Sequence, residues 1–383
     1  MRKNAHLDEV YPLLDFMPTH GEGVYLHDAQ GRRVLDMYGG HAVAALGYNH
    51  PQLVQAVQKQ CGELLFQSNA VRLKVRDEAA QKLADIAPAG LERVFFVNSG
   101  AEANENALRL AIGATGRAKV VAIEHSFHGR TAAAAAVSWG SDKSWYGFPR
   151  TPMDVVFVPR DDSDALRAAV DAHTAAVILE PVQGLAGAYD LSAEYVRTAR
   201  EACTRSGALL ILDEVQTGMG RLGEFFGAQL LNVEPDLLTT AKGLAGGLPA
   251  GAVIMRPELA RELKPGALGT TFGGGPVACA AICAVVDAIV NERLPANVRA
   301  LSKQIRATCQ RGPVLGFQGA GFLLGLRTSV RAAVVRDALL ERDILTGTSS
   351  DPNVLRLLPP LILESEHVER LAAALGDLEN ATL

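Results

Sequence analysis

Between residues 93 and 256, short apolar runs alternate with stretches whose apolar residues recur at helical spacing. Two of the helical stretches read AEANENALRLAIGAT and SAEYVRTAREACTRSG. The apolar runs are rich in β-branched residues and read RVFFVN, KVVAIE, DVVFVP, AAVILE, ALLILD and GAVIM. This alternation predicts an α/β fold, in which helices cover both faces of a mostly parallel sheet.

The two ends of the chain predict a second, smaller unit. From about residue 294 onward, the strand-like runs GFLLGLR and NVLRLLPPL lie between helical stretches, which predicts a smaller α/β domain over residues 294–383. Residues 1–50 contain GVYLHDAQGRRVLDM, a hairpin-like run with Asp-Ala-Gln-Gly as its turn, and we expect this segment to pack beside the small domain. Residues 51–293 then form the large domain.

Composition favours a small molecule as the partner of this chain. The 383 residues carry a formal charge of −5 and no basic stripe, so neither nucleic acid nor an anionic membrane surface is an expected partner. The five cysteines are scattered without zinc-ligand spacing, and no metal site is predicted. The longest apolar run, VACAAICAVVDAIV, is too short to span a membrane, and the first residues lack a signal-peptide pattern, so we expect a cytoplasmic protein.

Polar or Gly-rich segments follow the strand-like runs, where a doubly wound sheet collects its ligands. They read NSGAEANE, EHSFHGRT, EPVQG, DEVQTGMGR and TTAKG. In the first, a Ser-Gly-Ala turn entering a helix offers backbone N–H groups, a hydroxyl and the positive helix end, which suit a phosphate. The alternative is that Ser99 only caps the helix. Neither a Walker loop nor a G-x-G-x-x-G fingerprint is present, so a monophosphate is favoured over a nucleotide.

Two charged residues stand at the ends of neighbouring strand-like runs. Asp213 ends ALLILD, where a buried carboxylate needs a positive partner, unless it caps a helix or pairs with Arg221. Lys242 follows PDLLTT, where burial would lower its pKa and make its amine a nucleophile, unless it lies in a surface loop. A phosphate site, an aspartate and a lysine are together what pyridoxal phosphate requires: an anchor, a partner for the ring nitrogen and an amine for covalent attachment.

Six motifs extend this prediction to a family. FFVNSGAEANENALRLA, HSFHGRT, EPVQG, DEVQTGMGR, AKGLAGGLPAGA and GTTFGGGPVACAA together resemble the class III (subgroup II) pyridoxal-phosphate aminotransferases, and within them the acetylornithine and ornithine aminotransferase branch. The likeness runs from GVYLHDAQGRRVLDM to LRLLPPL, nearly the whole chain. It implies the fold type I of pyridoxal-phosphate transferases, with a seven-stranded type of sheet in the large domain. It also implies a homodimer whose subunits share each active site.

The resemblance implies a role for each matching residue. Lys242 would hold the cofactor and then move the proton between substrate and cofactor, and Asp213 would keep the ring nitrogen protonated. Thr271 would reach the phosphate from the neighbouring subunit. Phe127 would stack on the ring and Gln216 would contact its phenolic oxygen, although alone the first is equally typical of a core residue and the second of a loop amide. The remaining implied cofactor contacts are Ser99, Gly100, Ala101, His128 and Val215.

Two arginines are implied in substrate binding. Arg130 in FHGRT resembles the arginine that holds the substrate carboxylate far from the reacting amine, and Arg356 in NVLRLLPPL the one that binds the α-carboxylate of glutamate. A guanidinium suits both tasks because it binds a carboxylate through two parallel hydrogen bonds. Considered alone, either arginine would more often form a surface ion pair.

The sequence departs from the branch at two positions near the substrate. Leu185 stands in PVQGLAGAY where a glutamate is usual, and in the family that glutamate pairs with the second arginine when the substrate lacks a carboxylate at the reacting carbon. We therefore expect either substrates that carry this carboxylate in both half-reactions, or another side chain, such as Glu180, that shields Arg356. His41 stands where ornithine enzymes have a tyrosine, and it is counted with the substrate-binding residues, although a lone histidine is often structural.

The sequence thus predicts a pyridoxal-phosphate aminotransferase with a ping-pong cycle, which moves an amino group from N-acetylornithine or a related amino acid to 2-oxoglutarate, in arginine biosynthesis. Alternative donors are ornithine, succinylornithine, 4-aminobutyrate, diaminobutyrate and, because of Leu185, α-amino acids. A mutase acting on an amino-aldehyde is another alternative within the fold. Outside the enzymes, a pyridoxal-phosphate-binding regulator remains open.

Overall fold

The computed structural model of the chain describes residues 6, 8 and 10–378. Its strands are β1 (Pro18–Glu22), β2 (Tyr25–Asp28), β3 (Arg33–Asp36), β4 (Arg93–Val97), β5 (Lys119–Ile123), β6 (Asp154–Val158), β7 (Thr174–Leu179), β8 (Val182–Gln183), β9 (Tyr189–Asp190), β10 (Leu209–Asp213), β11 (Leu237–Thr240), β12 (Gly251–Met255), β13 (Val314–Ala320), β14 (Leu323–Thr328), β15 (Ile344–Leu345), β16 (Gly347–Thr348) and β17 (Val354–Leu357).

The helices lie between and after these strands. They are α1 (Gly39–Ala42), α2 (Pro51–Glu63), α3 (Lys74–Ile86), α4 (Gly100–Thr115), α5 (Ala132–Ala136), α6 (Ser141–Ser144), α7 (Ser163–Ala169), α8 (Ala193–Ser206), α9 (Gly227–Leu231), α10 (Pro257–Arg261), α11 (Pro276–Asn291), α12 (Leu294–Thr308), α13 (Ala332–Leu340) and α14 (Ser365–Asp377), with a short 3-10 helix at Lys242–Ala245. The helical pattern predicted at the end of the chain runs to residue 380, and its residues 379 and 380 lie outside the described part.

The large sheet has seven strands in the order β4-β12-β11-β10-β7-β5-β6. The pairs β5·β6, β5·β7, β7·β10 and β10·β11 are parallel, which confirms the predicted α/β class with its mostly parallel sheet. β12 runs antiparallel to both of its neighbours. The connection from Thr240 to Gly251 is too short for a crossover helix, so the chain turns back beside β11 and carries Lys242 in that turn.

The pairing of β10 with β11 brings Asp213 close to Lys242. β10 and β11 are neighbours, and Asp213 is paired with Thr239, only three residues before Lys242. Because both strands are parallel, their carboxyl ends meet at the same edge of the sheet. Every side chain of β11 is buried, and so are those of β10 from Leu210 onward, so Asp213 projects from the end of a buried strand.

The N-terminal hairpin joins the C-terminal part of the chain through a shared sheet. β2 and β3 pair antiparallel around the Asp28–Gly31 turn, and β3 pairs in parallel with β15, where Leu35 lies opposite Ile344. Next to them, β13, β14, β17 and β16 form an antiparallel sheet. Leu35 belongs to one continuous apolar core with residues of α11 and α14, such as Ile289 and Leu371.

Membrane spans, metal sites and cysteines were each considered in the sequence analysis. Within residues 6, 8 and 10–378, no helix is both long and apolar enough to cross a membrane. The same residues contain no group of three or more His, Cys, Asp or Glu side chains placed to hold a metal ion. Cys61 is exposed, the other four cysteines are buried, and all five are free thiols.

Candidate active site

A cavity of about 500 Å³ opens at the carboxyl edge of the large sheet. Its wall includes eleven of the residues that the sequence analysis singled out: Ser99, Gly100, Ala101, Phe127, His128, Arg130, Glu180, Asp213, Val215, Gln216 and Lys242. Three others, His41, Thr271 and Arg356, are not part of this wall. Residues from five separate loops therefore meet in one place, as expected for segments that follow neighbouring strands.

Three N–H donors hold the carboxylate of Asp213. Its Oδ2 lies 2.7 Å from His128 Nδ1 and accepts a 2.7 Å hydrogen bond from Asn104 Nδ2, while its Oδ1 accepts one from the Val215 amide at 3.0 Å. Asp213 pairs with His128 rather than with Arg221, whose guanidinium donates to the Pro359 carbonyl. Neither alternative use of Asp213, as a helix cap or as the partner of Arg221, is observed.

Asn104 ties this carboxylate to the sheet. It is 1% exposed, and its Oδ1 accepts from Thr239 Oγ1 at 2.7 Å while its Nδ2 also donates to the His128 carbonyl at 2.7 Å. Asn104 lies in the quoted segment NSGAEANE, yet it was not singled out from the sequence. The sequence feature that could have identified Asn104 is a polar residue among the apolar residues of a helix. A buried amide at such a position must find hydrogen-bond partners.

Lys242 begins the 3-10 helix with a left-handed backbone, at φ 49°. Such a conformation costs a residue with a side chain about 1 to 3 kcal/mol and is concentrated at functional sites. Burial lowers the pKa of Lys242, whereas the charges of Asp213 and Glu180 oppose that change. Within the described part of the chain its amine forms no hydrogen bond and no ion pair.

The N-terminus of α4 presents unused backbone donors to the cavity. Ser99 Oγ accepts from the Glu102 amide at 3.2 Å, so the serine does cap the helix, as the alternative proposed. The amides of Gly100 and Ala101 donate to no group among the described residues, and both residues line the cavity. A Cβ on Gly100 would lie 2.6 Å from Val215 Cγ1, so only glycine lets the valine side chain approach this turn.

Glu180 lies at the back of the cavity and is 6% exposed. Its Oε1 accepts from the Phe127 amide at 2.9 Å and its Oε2 from the Gly184 amide at 3.4 Å. Burial raises the pKa of Glu180 to about 7, with Asp213 adding to the effect and His128 and Lys242 opposing it. Glu180 therefore changes charge close to neutral pH, beside the lysine.

Phe127 and Arg130 line the cavity, and the ring of Trp145 lies beside both of them. The ring of Phe127 is half-buried, faces the cavity and lies 6.2 Å from the ring of Trp145. The guanidinium of Arg130 lies over the same Trp145 ring, 4.8 Å from its centre. Arg130 is exposed and has no ion pair among the described residues, so the surface ion pair considered for it is absent. Trp145 was not singled out from the sequence.

Arg356 is 3% exposed, and no carboxylate pairs with it in residues 10–378. Its Nε donates to the Thr348 carbonyl at 2.7 Å, its Nη1 to the Gly184 carbonyl at 3.2 Å and its Nη2 to the Tyr38 hydroxyl at 2.9 Å. Tyr38 was not singled out from the sequence either. Neither Glu180 nor any other acidic side chain shields the guanidinium by direct contact, and the exposed side chain of Leu185 cannot do so.

His41 and Thr271 lie apart from the cavity wall. His41 Nδ1 is 2.8 Å from the Tyr38 hydroxyl, and burial together with the charges of Arg356 and Lys242 lowers its pKa. Thr271 is exposed at the rim. Its neighbour Thr270 accepts a hydrogen bond from Asn98, a cavity residue, at 3.2 Å.

Comparisons with known proteins point to one family. The model described as "Aminotransferase class-III" matches residues 8–378. The sequence is 38% identical to acetylornithine aminotransferase 1 of Bordetella bronchiseptica, over 98% of both chains, and 41% identical to acetylornithine aminotransferase of Methanopyrus kandleri, over 94% of both.

The fold is similar to those of solved aminotransferases. It matches ornithine aminotransferase from Toxoplasma gondii with a TM-score of 0.91 and 28% identity, covering 98% of this chain and 91% of that one, and that structure has pyridoxal phosphate at partial occupancy in its active site. It matches acetylornithine aminotransferase from Elizabethkingia anophelis with a TM-score of 0.86 and 28% identity, covering 97% and 96%.

Proposed function

The chain belongs to the class III aminotransferases, and we propose that it moves the amino group of N-acetylornithine to 2-oxoglutarate, with pyridoxal 5′-phosphate as its cofactor. The observation that carries this proposal is the unpartnered amine of Lys242 in one cavity with the Asp213 carboxylate and the free amides of α4. Relatives named acetylornithine aminotransferase, similar over nearly the whole chain, support the donor. The reaction would serve amino-acid biosynthesis, that of arginine in particular.

The residues present fit pyridoxal phosphate on three counts. The free Gly100 and Ala101 amides, at the positive end of a 16-residue helix, suit a phosphate group. The Asp213 carboxylate, held in place by three N–H donors, is the type of group that pairs with a protonated ring nitrogen. Among the described residues, the amine of Lys242 has no partner to give up before covalent attachment. We therefore assign Ser99, Gly100, Ala101, Phe127, His128, Asp213, Val215, Gln216 and Lys242 to the cofactor.

When bound, pyridoxal phosphate supplies an aldehyde that takes up the amino group and a ring that withdraws electrons from the reacting carbon. The chain itself supplies the proton transfer. Because burial lowers the pKa of Lys242, its Nζ is unprotonated more often than that of a surface lysine. Lys242 can therefore take the proton from the substrate carbon that bears the amine and return it on the product side.

Substrate orientation depends on the two arginines. Arg130, exposed at the mouth and held over Trp145, is placed to bind the carboxylate far from the reacting amine of N-acetylornithine. Arg356, buried without a carboxylate partner, is placed to bind the α-carboxylate of glutamate and of 2-oxoglutarate. Both substrates would present their reacting carbon to Lys242 in turn, which is the requirement of a ping-pong cycle.

A titration of the purified holoenzyme tests this function. Each of N-acetylornithine, succinylornithine, ornithine, 4-aminobutyrate, glutamate and several α-amino acids is added separately, and the loss of the cofactor's visible absorption band is followed. We expect N-acetylornithine and glutamate to bleach the band rapidly, and a Lys242→Ala variant to bind cofactor without turnover. Bleaching by α-amino acids alone would contradict the proposed donor. Bleaching without an oxo product would favour the pyridoxal-phosphate-binding regulator.

We also propose that the protein is a homodimer whose subunits share each active site. Five large apolar side chains are exposed in the segments that follow α2 and precede α11: Leu64, Leu65, Phe66, Val71 and Phe272. The rings of Phe66 and Phe272 lie 5.5 Å apart, so these side chains form a patch beside Thr271. Exposed apolar patches of this kind mark protein–protein contacts. A second copy on this patch would bury it and carry Thr271 toward the neighbouring cavity.

Light scattering tests the dimer. We expect a mass of twice the 40.6 kDa chain, and a shift toward the monomer with weaker cofactor binding for a Phe66→Asp/Phe272→Asp variant. A fully active monomer would contradict the proposal. Location in the cytoplasm stays a prediction.

A further inference from the structure

Among residues 10–378 no carboxylate contacts Arg356, although the charge of Glu180 acts on it from a distance, and this environment is unusual for a buried arginine. A buried guanidinium without a carboxylate is costly, because desolvation is not offset by a nearby opposite charge. Here three of its five N–H donors are used, by two backbone carbonyls and the Tyr38 hydroxyl. One N–H remains on each terminal nitrogen, and a substrate carboxylate can accept both.

Tyr38 is the one side chain that accepts from Arg356 among the described residues. Burial raises the pKa of Tyr38, so its hydroxyl keeps its proton and stays neutral. The position of the ring depends on Gly347, because a Cβ on this glycine would overlap the Tyr38 ring. Gly347 is paired with Arg356 across β16 and β17, so the strand that carries the arginine also makes room for its partner.

His41 fixes the direction of the hydroxyl. The Tyr38 oxygen accepts from Arg356 Nη2, which is only a donor, so the phenolic proton must go elsewhere. His41 Nδ1, at 2.8 Å, is the only acceptor that contacts this hydroxyl in the described part of the chain. We assign the ring proton of His41 to Nε2, so that the hydrogen bonds run from Arg356 to Tyr38 to His41. A hydroxyl that donates in this way is a better acceptor, which strengthens its bond to the guanidinium.

We propose that Tyr38, held by His41, is a specificity-determining residue that positions Arg356 for the carboxylate on the reacting carbon of glutamate and 2-oxoglutarate. Tyr38 takes the place beside Arg356 that an acidic side chain would otherwise fill, but it carries no charge. Tyr38 and Leu185 therefore add no carboxylate that would compete with the substrate for Arg356. The proposal rests on the proposed function only in taking glutamate and 2-oxoglutarate as substrates.

The two half-reactions separate this role from a structural one. N-acetylornithine carries no carboxylate on the carbon that bears its reacting amine, whereas glutamate does. We expect Tyr38→Phe to weaken the apparent affinity for glutamate about tenfold or more, since a hydrogen bond to a charged group is lost. The single-turnover half-reaction with N-acetylornithine should change less than about threefold. Glutarate, a dicarboxylate that cannot react, should show the same weakening by calorimetry, which does not depend on turnover.

A double-mutant cycle tests the link through His41. His41→Ala should weaken glutamate binding less than Tyr38→Phe does, and the double variant should bind like Tyr38→Phe alone, because removing the hydroxyl already breaks both bonds. The control is Tyr25→Phe, whose hydroxyl forms no hydrogen bond among the described residues and which packs against His367. It should leave both half-reactions unchanged.

The results of these experiments test the role of Tyr38 separately from the proposed amino donor. Equal losses in both half-reactions, unchanged glutarate affinity, or additive effects of the two substitutions would each overturn the role of Tyr38. If the wild-type protein reacts with glutamate but not with N-acetylornithine, the proposed donor is wrong, and the effect of Tyr38→Phe on glutamate and glutarate still decides this proposal.

Discussion

Replacing Asn104 by aspartate tests the hydrogen-bond network that holds Asp213. The two side chains have nearly the same shape, so the change leaves no cavity. In the variant, an oxygen replaces the Nδ2 group that now lies 2.7 Å from Asp213 Oδ2 and 2.7 Å from the His128 carbonyl. Without a proton on that oxygen, two donated hydrogen bonds become contacts between acceptors, while the bond from Thr239 is kept.

The expected loss of stability depends on pH. Two carboxylates at 2.7 Å repel by about 6 kcal/mol at an effective dielectric constant of about 20, so the new carboxyl group keeps its proton instead. Holding that proton costs about 1.4 kcal/mol for each pH unit above the ordinary Asp pKa of about 3.9, which is about 1.5 kcal/mol at pH 5 and about 5.6 kcal/mol at pH 8. The lost bond to the His128 carbonyl adds about 1 kcal/mol at either pH.

The direction of the pH dependence follows from the difference between the folded and unfolded pKa of the introduced carboxyl. The folded protein raises the pKa of the introduced carboxyl above its unfolded value, so the stability of the variant falls as pH rises through this range. We therefore expect a deficit relative to wild type of about 2 to 3 kcal/mol at pH 5 and about 6 to 7 kcal/mol at pH 8.

Urea unfolding of the apoprotein at pH 5, 6.5 and 8 measures this difference. The control is Asn106→Asp on the same helix, which also loses one donated hydrogen bond, to the Glu102 carbonyl at 2.8 Å, but has the guanidinium of Arg109 3.5 Å from its side-chain oxygen. Its deficit should be about 1 kcal/mol and nearly independent of pH. A deficit for Asn104→Asp that is below about 1 kcal/mol, or that does not grow with pH, would refute the assigned network and the reasoning from it.

Three further predictions concern the substrate site and its protonation. Leu185→Glu should offer Arg356 a competing carboxylate, which weakens glutamate binding about tenfold without slowing the N-acetylornithine half-reaction. An unchanged ranking of amino donors in the absorbance titration would contradict this. Trp145→Ala should raise KM for N-acetylornithine about three- to tenfold by releasing Arg130, with Trp145→Phe close to wild type, whereas a fall in kcat alone would argue against it. Burial raises the pKa of Glu180 to about 7, so the wild-type apoprotein loses stability as pH rises from about 4.5 to 7. The free energy of unfolding of Glu180→Gln, measured in urea at pH 8, should therefore exceed that of wild type by up to about 3 kcal/mol. Parallel pH curves for the two proteins would exclude this.

The sequence predicted the sheet because its strands are defined locally. Each of the six quoted runs forms a strand of the large sheet, and the run PDLLTT supplies the seventh. Asp213 and Lys242 could be placed together from their positions at the ends of neighbouring runs, since parallel strands end at one edge. The family motifs added the proposed roles of the two arginines and the proposed cofactor contacts.

Partners that depend on packing between distant segments could not be predicted in the same way. Asn104 meets Asp213 only because the buried face of α4 lies against β10 and β11, and no local pattern specifies which amide reaches which carboxylate. Trp145 reaches Arg130 through the fold of the segment after α5, which carries no regular periodicity.

By itself, the sequence determined the α/β class and the polar segments that follow the strands, because hydrophobic periodicity and strand-end residues can be read from consecutive positions. The tertiary structure alone decided what stands beside Arg356. Tyr38 lies 318 residues before the arginine, and they meet because β3 pairs with β15 and Gly347 leaves room for the phenol ring. Such a contact depends on the register between two distant parts of the chain, which side-chain patterns within either part do not specify.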